Sequence, residues 1–157
     1  MKLFMIGVGG HMNSNIEVHD VLFIVGENFE DTFEEIRNSW YGVPNSLHID
    51  SYKVLSEIDG FEVVVGGNST KQLFFVNYGG YTSDIFGEIH KNTFLVAENK
   101  DEAEEIAKLN MNKYANMNHL DTITNVSKML SPDFELGFKK KESSFNESPD
   151  WQGYIKL

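Results

Sequence analysis

Four of the chain's five histidines fall into two matching sets of residues that could do chemistry. The first set is Glu17, His19, His48 and Asp50, and the second is Glu88, His90, His119 and Asp121. His11 is the exception. If Leu47–Ser51 is extended, His48 and Asp50 project from one face, two residues apart, and Glu17 and His19 share a face in the same way. Two imidazoles and two carboxylates from neighbouring strands could bind a divalent metal or run acid–base chemistry. The simpler expectation is that each His–Asp pair ties strand ends and loops together by hydrogen bonds. A duplicated fold would keep such ties in both copies.

Other chemistry finds little support. The chain has no cysteine, which removes disulfides, thiolate nucleophiles, iron–sulfur clusters and cysteine zinc sites together. No GxSxG elbow and no HExxH helix motif occurs. Gly9-Gly10 and Gly79-Gly80 are followed by polar loop, not by a helix, and the GxGxxG spacing is missing. GGNSTK at 66–71 lacks the P-loop frame. The glycine pairs read as turn residues, where Gly supplies positive φ without cost. No catalytic residue is assigned on this basis, and the sequence names no cofactor and no particular metal.

The elements that must position these sets are written twice. Lys2–Gly10 (KLFMIGVGG) matches Lys71–Gly80 (KQLFFVNYGG), and Glu17–Glu27 matches Glu88–Glu98. Leu47–Asp50 (LHID) matches Asn118–Asp121 (NHLD). The matches keep their order at an offset close to seventy, as an internal repeat requires. Leu3–Val8 and Leu73–Tyr78 read as buried strands, and Asp20–Glu27 as a central strand apolar on both faces. Asn28 and Asn99 read as helix N-caps, each followed by acidic residues in the first turn. Phe29, Phe33, Ile36 and Trp40 form an apolar stripe at helical spacing, with Gly42 and Pro44 as a stop. Ala103, Ile106 and Ala107 make a thinner one. Asp59-Gly60 between two apolar runs predicts a hairpin, whereas Ser131-Pro132 holds the matching place in the second copy. Thr122–Leu130 reads as a strand or a short helix capped by Asp121.

Each copy thus reads strand, strand, helix, strand, strand. The expected class is α+β: two tandem ββαββ, β-grasp-like repeats packed as a pseudo-twofold single body. The expected boundaries are 1–66 and 71–141, with 142–157 as a C-terminal tail docking on the body. In that tail 142–150 reads as polar and exposed, and WQGYIKL at 151–157 as a docked strand.

The net charge of −11 opposes phosphate backbones and anionic membrane surfaces, and Lys139–Lys141 is too short a basic run to offset it. No nucleic-acid or membrane partner is expected. No apolar run approaches the roughly eighteen residues of a membrane span. The N-terminal apolar stretch has an internal counterpart, which favours a strand over a signal peptide. A cytoplasmic location follows by default.

As a set, KLFMIGVGG, IEVHDVLFIVGENFEDT, LHIDSY, the DGFEV turn and the closing WQGYIKL resemble a bacterial family of domains of unknown function, family 1543. The resemblance covers nearly the whole chain. It implies a small bacterial protein with one or two copies of the unit, and it carries no activity or site residue. The expected function is therefore a small acidic, non-catalytic binding or protein-interaction module, with a protein partner or self-association at strand edges or the inter-repeat groove. The alternative is a metal-binding protein or enzyme using the duplicated His/Asp/Glu sets.

Overall fold

The computed structural model describes residues 1–142 and 146–157. Among the described residues ten strands and two α-helices follow in the order β1 (Lys2–Gly10), β2 (Val18–Gly26), α1 (Phe33–Ser39), β3 (His48–Val54), β4 (Glu57–Ile58), β5 (Phe61–Val65), β6 (Gln72–Gly80), β7 (Ile89–Ala97), α2 (Lys100–Met111), β8 (Met117–Asn125), β9 (Leu136–Lys140) and β10 (Trp151–Lys156). The class is α+β, with three antiparallel sheets. Two compact units divide the chain, Met1–Ser56 with Asn146–Leu157, and Glu57–Phe145.

In the first unit the sheet order is β10-β3-β1-β2. Strand alternation sends Phe4, Ile6 and Val8 of β1 to one face, where they meet Ile24, Ile36, Leu47 and Ile49. Each such fully buried aliphatic or aromatic side chain contributes roughly 1.5–3 kcal/mol. The helical stripe packs here: Phe29, Phe33 and Trp40 lie against this cluster. Phe29 sits in a 3-10 turn (Phe29–Thr32) that feeds α1, and Asn28 N–H donates to Asp31 Oδ2 at its mouth. The helix stops at Ser39, where Trp40 turns extended. β10 adds to the outer edge of β3, pairing Trp151 with Tyr52 and Lys156 with His48.

In the second unit β7-β6-β8 form one sheet and β4-β5-β9 another. Phe74, Val76 and Tyr78 of β6 face Leu95, Ala97, Ala103 and Ala107. α2 is longer than α1 and capped by the Asn99 side chain, which accepts from Glu102 N–H at 3.0 Å. Asp59 and Gly60 both take positive φ (52° and 76°), the type I′ turn that joins β4 to β5.

Several expectations change here. Only three strands of each expected ββαββ unit share a sheet. The fourth strands, β5 and β9, pair with each other, Val63 opposite Phe138, and do not complete two separate β-grasp-like sheets. Shape explains part of this: the apolar stretch 61–65 leaves a tight I′ hairpin and needs a partner for its free edge. The compact units divide at 56/57, whereas the repeat pattern places the boundary at 66. The glycine pairs are not turn residues. β1 and β6 run through Gly10 and Gly80, and none of the four glycines has positive φ. Residues 122–130 continue β8 to Asn125 and then make a 3-10 turn over Val126–Lys128. The expected exposed stretch 142–150 falls partly on residues 143–145, which lie outside the described residues; 142 and 146–150 are exposed. Among the described residues no helix is long and apolar enough to cross a membrane.

Candidate metal centre

The first set assembles over Gly9. β1 is flanked by β2 and β3, and Gly9 pairs with His19 on one side and His48 on the other. Flanking strands lie about 4.8 Å from the central one, so two imidazoles can lean inward and meet above it. A side chain between them would prevent this. A Cβ on Gly9 would stand 2.7 Å from His48 Nε2 and 2.9 Å from His19 Cδ2. A strand glycine here marks close approach above the backbone.

One carboxylate enters from a loop and the other from a bulge. Glu17 is the last residue of the loop before β2. Asp50 is the extra residue of a β-bulge: Gly7 opposes Ser51 while Val8 opposes Ile49, which leaves Asp50 unpaired. Bulges bend a strand and re-aim a side chain, and this one turns Asp50 toward the histidines. His48 Nε2 lies 3.4 Å from Glu17 Oε1 and 3.3 Å from Asp50 Oδ1. His19 Nε2 lies 3.8 Å from Glu17 Oε2 and 3.5 Å from Asp50 Oδ2. The two rings stand nearly perpendicular, 6.4 Å apart.

His48 is buried, and its Nδ1 lies 3.1 Å from the Ser46 carbonyl. A carbonyl can only accept, so Nδ1 carries the proton and donates. The Nε2 lone pair is then directed at the carboxylates, the tautomer a metal-ligating histidine uses.

The second set assembles the same way over Gly79. Gly79 pairs with His90 on β7 and His119 on β8. Asp121 is again the bulge residue, between Thr122 opposite Asn77 and Leu120 opposite Tyr78. A Cβ on Gly79 would collide with Asp121 Oδ2, His119 Nε2 and Glu88 Oε1. His119 Nε2 is 2.5 Å from Glu88 Oε1 and 3.0 Å from Asp121 Oδ1. His90 presents Nδ1 to Asp121 Oδ2 at 3.2 Å and Nε2 to Glu88 Oε2 at 3.8 Å. His119 Nδ1 lies 2.5 Å from the Asn118 side-chain oxygen, which takes the place of the Ser46 carbonyl. Tyr81 stands over this site; the Glu88 charge, then loss of hydration and its hydrogen bond to Glu88, push its phenol pKa up.

All eight residues singled out in the sequence therefore come together, four in each unit. In each set three residues can bring one ligand atom each within 4.8 Å of one another: Glu17, His19 and His48, and Glu88, His90 and Asp121. Ser46 and Asn118 carry no sequence signal for a place at the site, and Gly9 and Gly79 read from the sequence as turn residues. The glycines carried a signal in their equal offsets from the two histidine sets, but a central strand between two histidine strands is visible only once the pairing is known. His11 takes no part: its N–H donates to Ser46 Oγ and its carbonyl accepts from Val43.

The family described as Domain of Unknown Function (DUF1543) matches residues 14–65, a stretch that holds the whole first set. The chain is also similar to a crystal structure of protein Il1583 from Idiomarina loihiensis. Identity is 30%, the TM-score is 0.78, and the match covers 99% of this chain and 97% of that one. No curated protein matches the chain.

Proposed function

The chain belongs to the DUF1543 family, and from that premise we propose that it is a metal-binding protein built from an internal duplication, with one divalent-cation site per copy. The carrying observation is the convergence of two imidazoles and two carboxylates over a strand glycine, made twice with the same bulge. In each set the glycine leaves free the space above the central strand that the converging groups occupy.

The donor chemistry narrows the cation. Calcium and magnesium take oxygen ligands, whereas imidazole suits zinc and its first-row neighbours. Bonds of about 2.0–2.1 Å to a tetrahedral zinc put neighbouring ligand atoms about 3.3–3.4 Å apart. In the first site the four imidazole–carboxylate distances run from 3.3 to 3.8 Å. Those exceed ordinary hydrogen bonds and approach the edge of that tetrahedron. Three residues of each set bring ligand atoms within mutual reach, and the fourth stands beside them. This reading keeps a binding protein and makes the cation its ligand.

Zinc titration by calorimetry, with metal analysis after desalting, tests it. Two equivalents are expected for the wild-type chain, one for His48→Ala, and none for His48→Ala combined with His119→Ala. Zinc at a hundred times its dissociation constant adds about 2.7 kcal/mol and raises the melting temperature. A wild-type chain that takes up no zinc, cobalt or nickel sinks the proposal.

A further inference from the structure

The same histidine is shielded in one copy and open in the other. The side chain of His48 is 3% exposed and that of His119 is 39% exposed. The neighbours on the outer edge account for the contrast. β3 carries β10 beside it, while β8 ends the sheet β7-β6-β8 among the described residues. β10 is not a plain added strand. Gln152 opposes Ser51 and Ile155 opposes Ile49, so Gly153 and Tyr154 bulge outward opposite Asp50. The bulge lays the Tyr154 ring on His48, with centroids 4.4 Å apart and planes 22° from parallel.

The bulge is held on both sides. A Cβ on Gly153 would meet Trp151 at 2.7 Å, and Trp151 stacks on Tyr52 at 6.3 Å. Asp150 Oδ2 accepts from Val54 N–H, and Leu157 N–H donates to the Leu47 carbonyl just before His48. The strand is thus tied at both ends, with Tyr154 between the ties. In the second unit the Tyr81 ring is tilted against His119, with centroids 6.0 Å apart.

We infer that Tyr154 is a positioning residue for the first metal site: by stacking on His48 it holds the ring in its ligating orientation and slows escape of the cation. The inference rests on the metal reading above. It makes the two sites unequal in exchange rate, the first slow and the second fast. The ring matters, not the hydroxyl, because the contact is a stack. Outer groups that orient metal ligands are worth about 10- to 100-fold in affinity when removed.

The test uses the full chain loaded with two equivalents of cobalt(II), whose visible bands report tetrahedral coordination, followed by stopped-flow release to excess EDTA. Release in two phases of equal amplitude is expected. Tyr154→Ala should accelerate the slow phase about 10- to 100-fold and leave the fast phase unchanged. Tyr154→Phe should keep the wild-type slow phase. A single phase from wild-type protein that binds both equivalents overturns the inference and leaves the metal reading standing. So does a slow phase indifferent to Tyr154→Ala, or an equal acceleration of both phases. Failure to bind cobalt at all strikes the metal reading itself. Circular dichroism and the undisturbed fast phase of Tyr154→Ala show that the variant is folded.

Discussion

The two His/Asp/Glu sets use the same residue types and hold them differently. Over Gly9 the imidazole–carboxylate distances are all 3.3 Å or longer, and a buried His48 is fixed by a backbone carbonyl. Over Gly79 the His119 ring already lies within hydrogen-bond reach of both carboxylates, at 2.5 and 3.0 Å, and its other nitrogen faces a side-chain amide. The first arrangement leaves space at the centre of the set. The second is closed down by its own hydrogen bonds, which a cation must displace. A carbonyl on the main chain cannot swing away, whereas the Asn118 amide can rotate with its side chain. The same four residue types thus stand farther apart over Gly9 and closer together over Gly79, with a different partner behind one histidine in each set.

The cores beneath differ in a related way. Val8 and Tyr78 hold matching places at the end of the central strand, and both are fully buried. In the first unit the short helix α1 fills the space with Ile36 and its aromatic neighbours. In the second unit α2 presents Ala103 and Ala107, and the small residues leave room for the Tyr78 ring. Its hydroxyl donates to the Ala107 carbonyl at 2.8 Å. That bond satisfies a polar group that would otherwise be buried unpaired.

The largest expected effect separates the sites outright. Gly9→Ala should remove one zinc equivalent and Gly79→Ala the other, since each added Cβ occupies the centre of its own set. Metal analysis of the two variants should give one equivalent each. Two equivalents in either variant would break the claim that the glycine makes the site. Next come the histidines in metal-free protein. His48→Ala removes a buried ring and leaves the part-buried Ser46 carbonyl without its donor, and should cost about 1–3 kcal/mol in urea unfolding. His119→Ala, at an exposed place, should cost about 0.5 kcal/mol or less. Equal costs would mean that the difference in burial has no energetic consequence.

The smallest effect sharpens the comparison of the cores. Tyr78→Phe should lose about 1 kcal/mol at neutral pH, the net value of its hydrogen bond. Tyr78 also predicts an alkaline signature. Burial first, then the neighbouring Tyr114, pushes its phenol from 10.0 up to about 12. The unfolded chain therefore releases this proton first. The stabilisation is complete below pH 10 and is lost as pH rises toward 12. Urea midpoints across that window should fall less steeply in Tyr78→Phe than in wild type. Parallel slopes would show that Tyr78 does not titrate with unfolding.

Much of the local structure was legible in the chain because it depends on near neighbours. Asn99 caps α2 through its own side chain, and Asp59-Gly60 turns a hairpin because those two residues tolerate positive φ. The apolar stripe Phe29, Phe33, Ile36 and Trp40 packs as its spacing requires, although a 3-10 turn replaces the first helical turn. The glycine pairs misled. Read locally, Gly9-Gly10 is a turn; in the sheet it is strand, and the glycine serves the groups above it.

What the sequence determined by itself was composition and period: an α+β chain, two matching His/Asp/Glu sets, and the residue types able to hold a cation. Tertiary structure alone decided that the strand carrying Gly9 lies between those carrying His19 and His48, because strand order depends on partners far apart in the chain. It also decided that β5 and β9 pair with each other and that the C-terminal strand seats Tyr154 on His48. A free strand edge is satisfied by any strand of suitable register, so the choice among edges rests on the packing of the folded unit and not on the pattern of the strand itself.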